Sequence, residues 1–426
     1  MAKAKKKSAG KSRPAPAAKA GAAIRVRMYR VGFGDCFLLT LPAASGPEHV
    51  LIDCGVHPKG DAKTIRRAVE NVAQVTGKRL AVVIATHAHA DHISGFHACK
   101  ELFRSFDVGE VWLPWTENPD DKQAQRYKTK QLALTNRLAM HLAALRVGDA
   151  SGTEKQQAAL YAVQNLTGNA DALQLLNSKI NGGKPRYLEA GEKITDPAGI
   201  KGLAVKVLGP PRDEKFLGQM DPPKGDRFLR LDGKATTEVD GVKPFARRWD
   251  CETDELDDEL RLDRRDVQTL VELSSDPVGL AFALDHAVNN SSVVTLFSFA
   301  GRNLLFPGDA QYGNWAAWIN DPAGAEILRN VNFLKVAHHG SHNATPKSAL
   351  AKMEAGHFSA MVATQNRPWP SIPLKPLMAE LNAKTQGAIV RSDQLHLAGM
   401  PDGPKLAKAP PGFSRGDFWF DCEIAL

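Results

Sequence analysis

Several features are scarce or missing in this sequence, and each narrows what the chain can be. No apolar run approaches the roughly 18 residues that a membrane-crossing helix needs, so no membrane segment is expected. The first 23 residues lack the apolar core of a secretory leader. Only five cysteines occur, Cys36, Cys54, Cys99, Cys251 and Cys422. No two form a CxxC pair and the number is odd. That argues against a disulfide framework or a structural zinc ribbon and for a reducing compartment, the cytoplasm. Acidic residues are absent from positions 1–23, which hold seven of the 55 lysines and arginines.

That last absence reinterprets the charge. The net charge is +8 and the pI about 9.1, values that suggest a polyanion partner when spread over a domain. Here the first 23 residues account for +7, leaving about +1 for 24–426. The body is nearly neutral. The basic segment, rich in Ala, Lys, Pro, Gly and Ser, is expected to be a disordered tail over 1–22. Its simplest role is solubilisation, with weak docking on a polyanion as the alternative.

What remains is ordinary for a globular chain: 426 residues, 43% hydrophobic and 24% charged. The length suits one large domain with insertions, taken here as 23–426. Short apolar runs at Ile24–Tyr29, Cys36–Leu41 and Val50–Asp53 predict successive strands. A helix is predicted over Asp61–Val75, with Ile65, Val69 and Val72 on one face. Leu80–Thr86 reads as a buried strand, Asp91–Phe103 as a helix and Val108–Leu113 as a strand. Strands alternating with helices point to an α/β layered fold. A helical insertion is expected at about 115–185, with Leu134, Leu138, Leu142 and Leu145 at helical spacing. Strand signals return near Ile194 and at Leu203–Leu208. A polar insertion follows at about 210–280. A second core-like stretch comprises strands at Ser292–Ala300, Asn303–Phe306, Asn332–Val336 and Ala360–Ala363, then a helix at Leu374–Ala383.

The chemistry concentrates at strand ends. Thr86-His87-Ala88-His89-Ala90-Asp91-His92 follows an apolar strand, and imidazoles and carboxylates are the usual ligands of zinc and related ions. His87 and His89, two apart in extended chain, point the same way. Asp91 and His92, at a helix start, face a second position, so this segment can serve two metals. Leu304-Leu305-Phe306-Pro307-Gly308-Asp309 ends a strand in a carboxylate able to bridge two cations. Phe333–His342 repeats the pattern of strand then histidine. Of its three histidines, His338 is the expected ligand, with His339 and His342 behind the ligands or facing substrate. Asp53, ending the strand Val50–Asp53, is buried and needs a partner, which a metal-bound histidine's second ring nitrogen supplies. Asp35, in the Gly32–Asp35 turn, is a candidate for the same task, or a plain turn residue. Cys54 reads as a small buried hydrophobe.

These segments together resemble the metallo-β-lactamase-fold hydrolases, and more narrowly the hydrolase domain of ComEC-type competence DNA-uptake channels. The resemblance rests on Val31–Cys36, Leu51–Gly55, Thr86–Gly95, Asn289–Ser292, Gly308–Ala310 and His338–Ser341, in that branch's order. It covers roughly 24–113, 186–210 and 285–395. It implies an αββα sandwich with a dinuclear site of zinc or manganese at the sheet edge. It adds Asn290 and Ser341 to the residues expected near substrate. There are departures: many members carry a histidine before the strand beginning at Ser292, where this chain reads Val288-Asn289-Asn290, with His286 nearby. Ile372-Pro373 stands where the branch has His-Pro. The position held by His87 and His89 is therefore expected to bind its ion more weakly.

The expected activity is hydrolysis by metal-bound hydroxide, with Asp91 and Asp309 at the catalytic centre. His87 and His89 hold one ion, Asp91, His92 and His338 the other, and Asp309 bridges. The leading substrate is a phosphodiester, in a nucleic acid or a nucleotide, by analogy with the branch it resembles. Lys335, Ser341 and His342 are candidate donors to phosphate oxygens. The alternatives are a lactam, lactone or thioester hydrolase, and a metal-bearing binding protein without turnover.

Overall fold

The computed structural model describes residues 22–58, 62–129, 131, 135–136, 154–167, 169–178, 180–228 and 287–426. The basic tail through residue 21, the leucine stripe from Leu134 to Leu145, Cys251, His286 and most of the polar insertion lie outside these residues.

Two sheets are built from fifteen strands among the described residues. The first runs β1 (Ala23–Tyr29), β2 (Cys36–Ala43), β3 (Gly46–Cys54), β4 (Arg79–Ile84), β5 (Asp107–Pro114) and β6 (Lys184–Leu188), with β14 (Phe413–Arg415) and β15 (Trp419–Ala425) beyond β1. The second has the order β13-β12-β11-β10-β9-β8-β7. Its strands are β7 (Lys193–Thr195), β8 (Leu203–Gly209), β9 (Val294–Phe299), β10 (Arg302–Phe306), β11 (Phe333–Lys335), β12 (Ser359–Val362) and β13 (Ile389–Arg391).

Why the strands read as continuous apolar runs is now evident: both faces are covered. Ile52, Val82 and Ile84 face inward, against Phe297, Leu304, Phe306 and Phe333 of the opposite sheet. Their neighbours Leu51 and Val83 face outward, onto Ile65, Val69 and Val72 of α1 (Ala62–Thr76) and Ile93 and Phe96 of α2 (Ala90–Ala98). After β5 come α3 (Glu154–Leu166) and α4 (Ala170–Asn177). The outer face of the second sheet is covered by α5 (Tyr312–Ile319), α6 (Pro322–Arg329), α7 (Lys347–Lys352) and α8 (Lys375–Lys384), through Trp315, Leu328, Leu350 and Leu377. The layers are αββα, the metallo-β-lactamase fold that the sequence motifs implied.

Topology then positions the chemistry. β3, β4, β5 and β6 run parallel, as do β10, β11, β12 and β13, so their carboxyl ends gather at one edge of each sheet. Side chains at that edge are free of the strand ladders, which is why such edges hold sites. The two edges are stitched where Val293 N donates to Thr86 O at 2.8 Å.

Candidate metal centre

Four loops meet at this edge. β3 ends at Asp53, which adopts left-handed backbone geometry (φ 55°). Its carboxylate accepts from Thr86 N at 2.7 Å and Thr86 Oγ1 at 2.8 Å, and Oδ2 lies 2.8 Å from His92 Nδ1. Immediately after, Gly55 abuts the start of α2 so closely that a Cβ would collide with the backbone of Asp91 and His92. Asp35 N donates to Asp91 O and Gly55 N to Asp35 O, both at 2.9 Å, tying the Gly32–Asp35 turn to the same helix. α2 carries Asp91 and His92 in its first turn. Asp91 is gripped by Asn165 of α3, which accepts from Asp91 N at 3.1 Å and donates to Oδ1 at 2.9 Å.

The second sheet contributes the other half. Asp309 follows β10, and its Oδ2 is 3.1 Å from both His92 Nε2 and His339 Nε2. His339 follows β11, donates Nδ1–H to Ala363 O at 2.9 Å, and sets Nε2 3.1 Å from Asp91 Oδ2. Ligand atoms of Asp91, His92, Asp309 and His339 thus lie within 4.8 Å of one another, all buried. A second overlapping group is Asp35, Asp53 and His92.

The donor set fits a divalent cation. Each histidine has its Nδ1 held from behind, by Asp53 or by the Ala363 carbonyl, which leaves Nε2 aimed at the carboxylates. Burial favours neutral imidazoles here, yet the carboxylates, Asp309 foremost, outweigh it. His339 is held protonated up to about 10, and His92 well above its ordinary value. Burial likewise opposes ionised carboxyls, but His92 and His339 hold Asp91 and Asp309 below the usual carboxylate range. Such a cluster demands positive charge, and a cation can take the place of the imidazolium protons. Beneath it, Lys335 Nζ sits 2.9 Å from Asp309 Oδ1, 2.8 Å from Gly308 O and 2.5 Å from Asp35 Oδ2. Burial would discharge this lysine; Asp309 and Asp35 outweigh that and keep it charged.

His87 and His89 form a different environment. His87 Nε2 faces His89 Nδ1 at 3.0 Å, and His87 Nδ1 is 3.0 Å from Thr86 Oγ1. Burial dominates, with His92 adding to it: His89 is lowered to about 4 and His87 falls well below its ordinary value, so both are neutral. Asn289 reaches His89 and lies 3.4 Å from His338 Nε2, while Gln311 and Asn343 lie 3.5 and 3.3 Å from His338 Nδ1.

The structure places several of the expected site residues outside this group of ligand atoms. His339, not His338, joins Asp91, His92 and Asp309; both residues have left-handed φ (44° and 53°), and this turn sends them to different sides. Asn290 is turned away. Its side chain donates to Leu217 O and Gln219 O and accepts from Gln311 N, locking loops together. Its neighbour Asn289 reaches the site instead. His342 leaves the cluster and lies 3.3 Å from Asp221, and Ser341 donates to Asn343 at 3.1 Å. Lys335 is buried under Asp309, its Nζ taken up by Gly308 O, Asp309 and Asp35. Asp35 is no plain turn residue: it is buried between Lys335, His92 and His339.

Asn165 was not foreseen, although a signal existed. Tyr161 and Asn165 lie four residues apart on one face of α3, and Asn169 follows four further on, at the start of α4. Asn169 continues the grip by donating to Ala88 O at 2.6 Å.

Residues 29–105 match the metallo-beta-lactamase superfamily. No curated protein matches the sequence. Solved structures that resemble the chain include the metallo-beta-lactamase fold protein YhfI from Bacillus subtilis, 8% identical, covering 86% of this chain and 96% of that one, TM-score 0.36. A putative metal-dependent hydrolase from Parabacteroides distasonis is 10% identical over 86% and 93% of the two chains, TM-score 0.32. A diphosphatase of the PhnP family is 10% identical over 95% and 100%, TM-score 0.33.

Proposed function

We propose that this chain, which has the metallo-β-lactamase fold and that superfamily's signature over 29–105, is a metal-dependent phosphodiester hydrolase acting on a nucleotide or nucleic acid. Asp91, His92, Asp309 and His339 hold one divalent cation, zinc or manganese. His87 and His89, with Asn289 beside them, hold a second more weakly. When bound, the metal supplies Lewis acidity and a nucleophile from water at neutral pH.

The remaining work falls to protein groups. Asp53 and the Ala363 carbonyl orient the two imidazoles. Lys335 fixes Asp309 through Oδ1, leaving Oδ2 toward the ligand cluster. The observation that carries the phosphodiester reading is the character of the wall beside the cluster. Imidazoles and amides line it: the neutral His87 and His89, then His338, Asn289, Gln311 and Asn343. A phosphoryl group spreads negative charge over non-bridging oxygens, and preorganised N–H donors stabilise that charge as it develops. The order of the motifs, which resembles the ComEC-type hydrolase domain, favours the same class.

The test compares bis-p-nitrophenyl phosphate and single-stranded DNA with a chromogenic β-lactam, in manganese or zinc. Metal-dependent cleavage of the phosphodiesters, lost in Asp309→Ala, is expected. Lactam opening without phosphodiester cleavage would move the assignment to the lactam, lactone or thioester class. Metal binding without any turnover would make the chain a binding protein.

A further inference from the structure

A file of aromatic rings leads outward from the ligand cluster. Phe33 lies 4.2 Å, ring centre to ring centre, from the ligand His339. Trp369 lies 4.7 Å beyond Phe33, and His57 lies 5.0 Å from Trp369 and 5.9 Å from Tyr161. Phe33 and His57 are buried, whereas Trp369 and Tyr161 are partly exposed. We propose that these rings form a stacking subsite that binds the base of a nucleotide whose phosphate lies at the metal cluster, with Trp369 and Tyr161 presenting the contact surface. This rests on the phosphodiester reading above and deepens it by naming the substrate's second recognition element.

The rings come from four separate elements, and each is tied to a residue of the metal centre or of its supports. Phe33 belongs to the turn that ends in Asp35. His57 follows Asp53, and its N–H donates to Phe33 O at 2.8 Å. Tyr161 lies on the face of α3 that carries Asn165, which grips Asp91. Trp369 sits in the loop between β12 and α8, anchored to the His339 turn where Leu374 N donates to Gly340 O at 2.8 Å. The spacing between rings and ligands is therefore set by the same contacts that set the metal ligands.

Ring chemistry selects the occupant. A nucleobase is planar and polar at its edge, and its face stacks on aromatic side chains whatever its identity. The tilted and edge-on contacts within the file leave ring faces that are not stacked on one another. Indole, phenol and imidazole edges add polar groups that an aliphatic acyl chain cannot use. The rings also extend away from His339, so a base on Trp369 and a phosphate at the ligands can be engaged together.

The test measures binding to the full-length, metal-loaded protein of thymidine 5′-monophosphate and deoxyribose 5-phosphate, which differ only in the base. The nucleotide is expected to bind about ten-fold tighter or more. Trp369→Ala should erase most of that preference and leave the sugar phosphate's affinity unchanged, while Trp369→Phe should keep most of it. Tyr161→Ala gives an independent arm, and the thermal melt of each variant reports folding. Equal affinities in the wild type, or a preference that survives in both folded alanine variants, overturns the subsite. Hydrolysis is read separately. Phosphodiester cleavage without base preference refutes the subsite alone. Base preference without cleavage upholds the subsite and refutes the phosphodiesterase assignment.

Discussion

The two halves of the candidate metal centre use the same residue type in opposite electrostatic settings. His92 and His339 face Asp91 and Asp309 and are held protonated in the metal-free chain, His339 up to about 10. His87 and His89 face each other, with Asn289 reaching His89, and burial keeps them neutral, with His89 lowered to about 4. A cluster that holds protons against burial attracts a cation strongly; a neutral pair attracts one more weakly. Ligand count alone does not predict affinity here, because the charge behind each ligand decides whether an ion is electrostatically required.

The sharpest way to break this contrast is to remove ligands one half at a time. Asp309→Ala and His339→Ala should reduce turnover to background and abolish tight metal binding, as read by metal analysis after gel filtration. His338→Ala should retain the tight ion and lose only part of the activity. Loss of the tight ion in His338→Ala but not in His339→Ala would reverse the assignment.

The next effect is on stability. An ion that binds only the folded state adds about 2.7 kcal/mol at a hundredfold excess over its dissociation constant. Chelation should therefore lower the melting temperature by several degrees, with His92→Ala insensitive to it. One step further out, Asp53→Asn should keep the fold and weaken metal affinity about 10- to 100-fold, because it loosens His92 without removing it. Equal affinity in the variant, measured by competition with a chelating dye, would mean that Asp53 does not orient the ligand.

The pH response separates the halves with a smaller signal. A histidine whose folded-state value is raised stabilises the fold fully below its unfolded value, near 6.5, and that stability is lost as pH rises through the folded value. For His339 the loss should run from about 6.5 to about 10 in the metal-free protein. His89 is lowered, so its sign is reversed: stability is fully present above about 6.5 and is lost as pH falls through about 4. Melting curves of metal-free His339→Gln and His89→Gln should converge with wild type at opposite ends of the pH range. The same direction of convergence for both would contradict the contrast. Smallest of all, deletion of residues 1–22 should leave the melting temperature and turnover unchanged. The segment's sequence is almost all Lys, Ala, Pro, Gly, Ser and Arg, with no large apolar residue after Met1, so a shift of several degrees would show that it packs on the body.

Much of this arrangement was legible before folding, for a local reason. Apolar runs ended by polar residues mark strands whose exits carry chemistry, and Asp53, His87, His89, Asp91, His92 and Asp309 all sit at such exits. Ile65, Val69 and Val72 revealed the buried face of α1, and all three are fully buried. Less was legible where partners are distant in sequence. β15 was not anticipated: it pairs with β1, Tyr29 opposite Trp419, and Arg27 meets Asp421 at 2.7 Å across that ladder. Nothing within either segment announces the other.

The sequence by itself determined the layered α/β class, the strand exits that carry the candidate ligands and the ligand chemistry, because these depend on periodicity and residue type over a few neighbours. Tertiary structure alone decided which of the adjacent residues His338 and His339, and Asn289 and Asn290, faces the cluster. It also turned Lys335 beneath Asp309 and brought Asn165 onto Asp91. These choices depend on backbone dihedrals and on contacts between segments far apart in the chain. A rotation at one residue exchanges a candidate ligand for its neighbour, and no local pattern encodes that rotation.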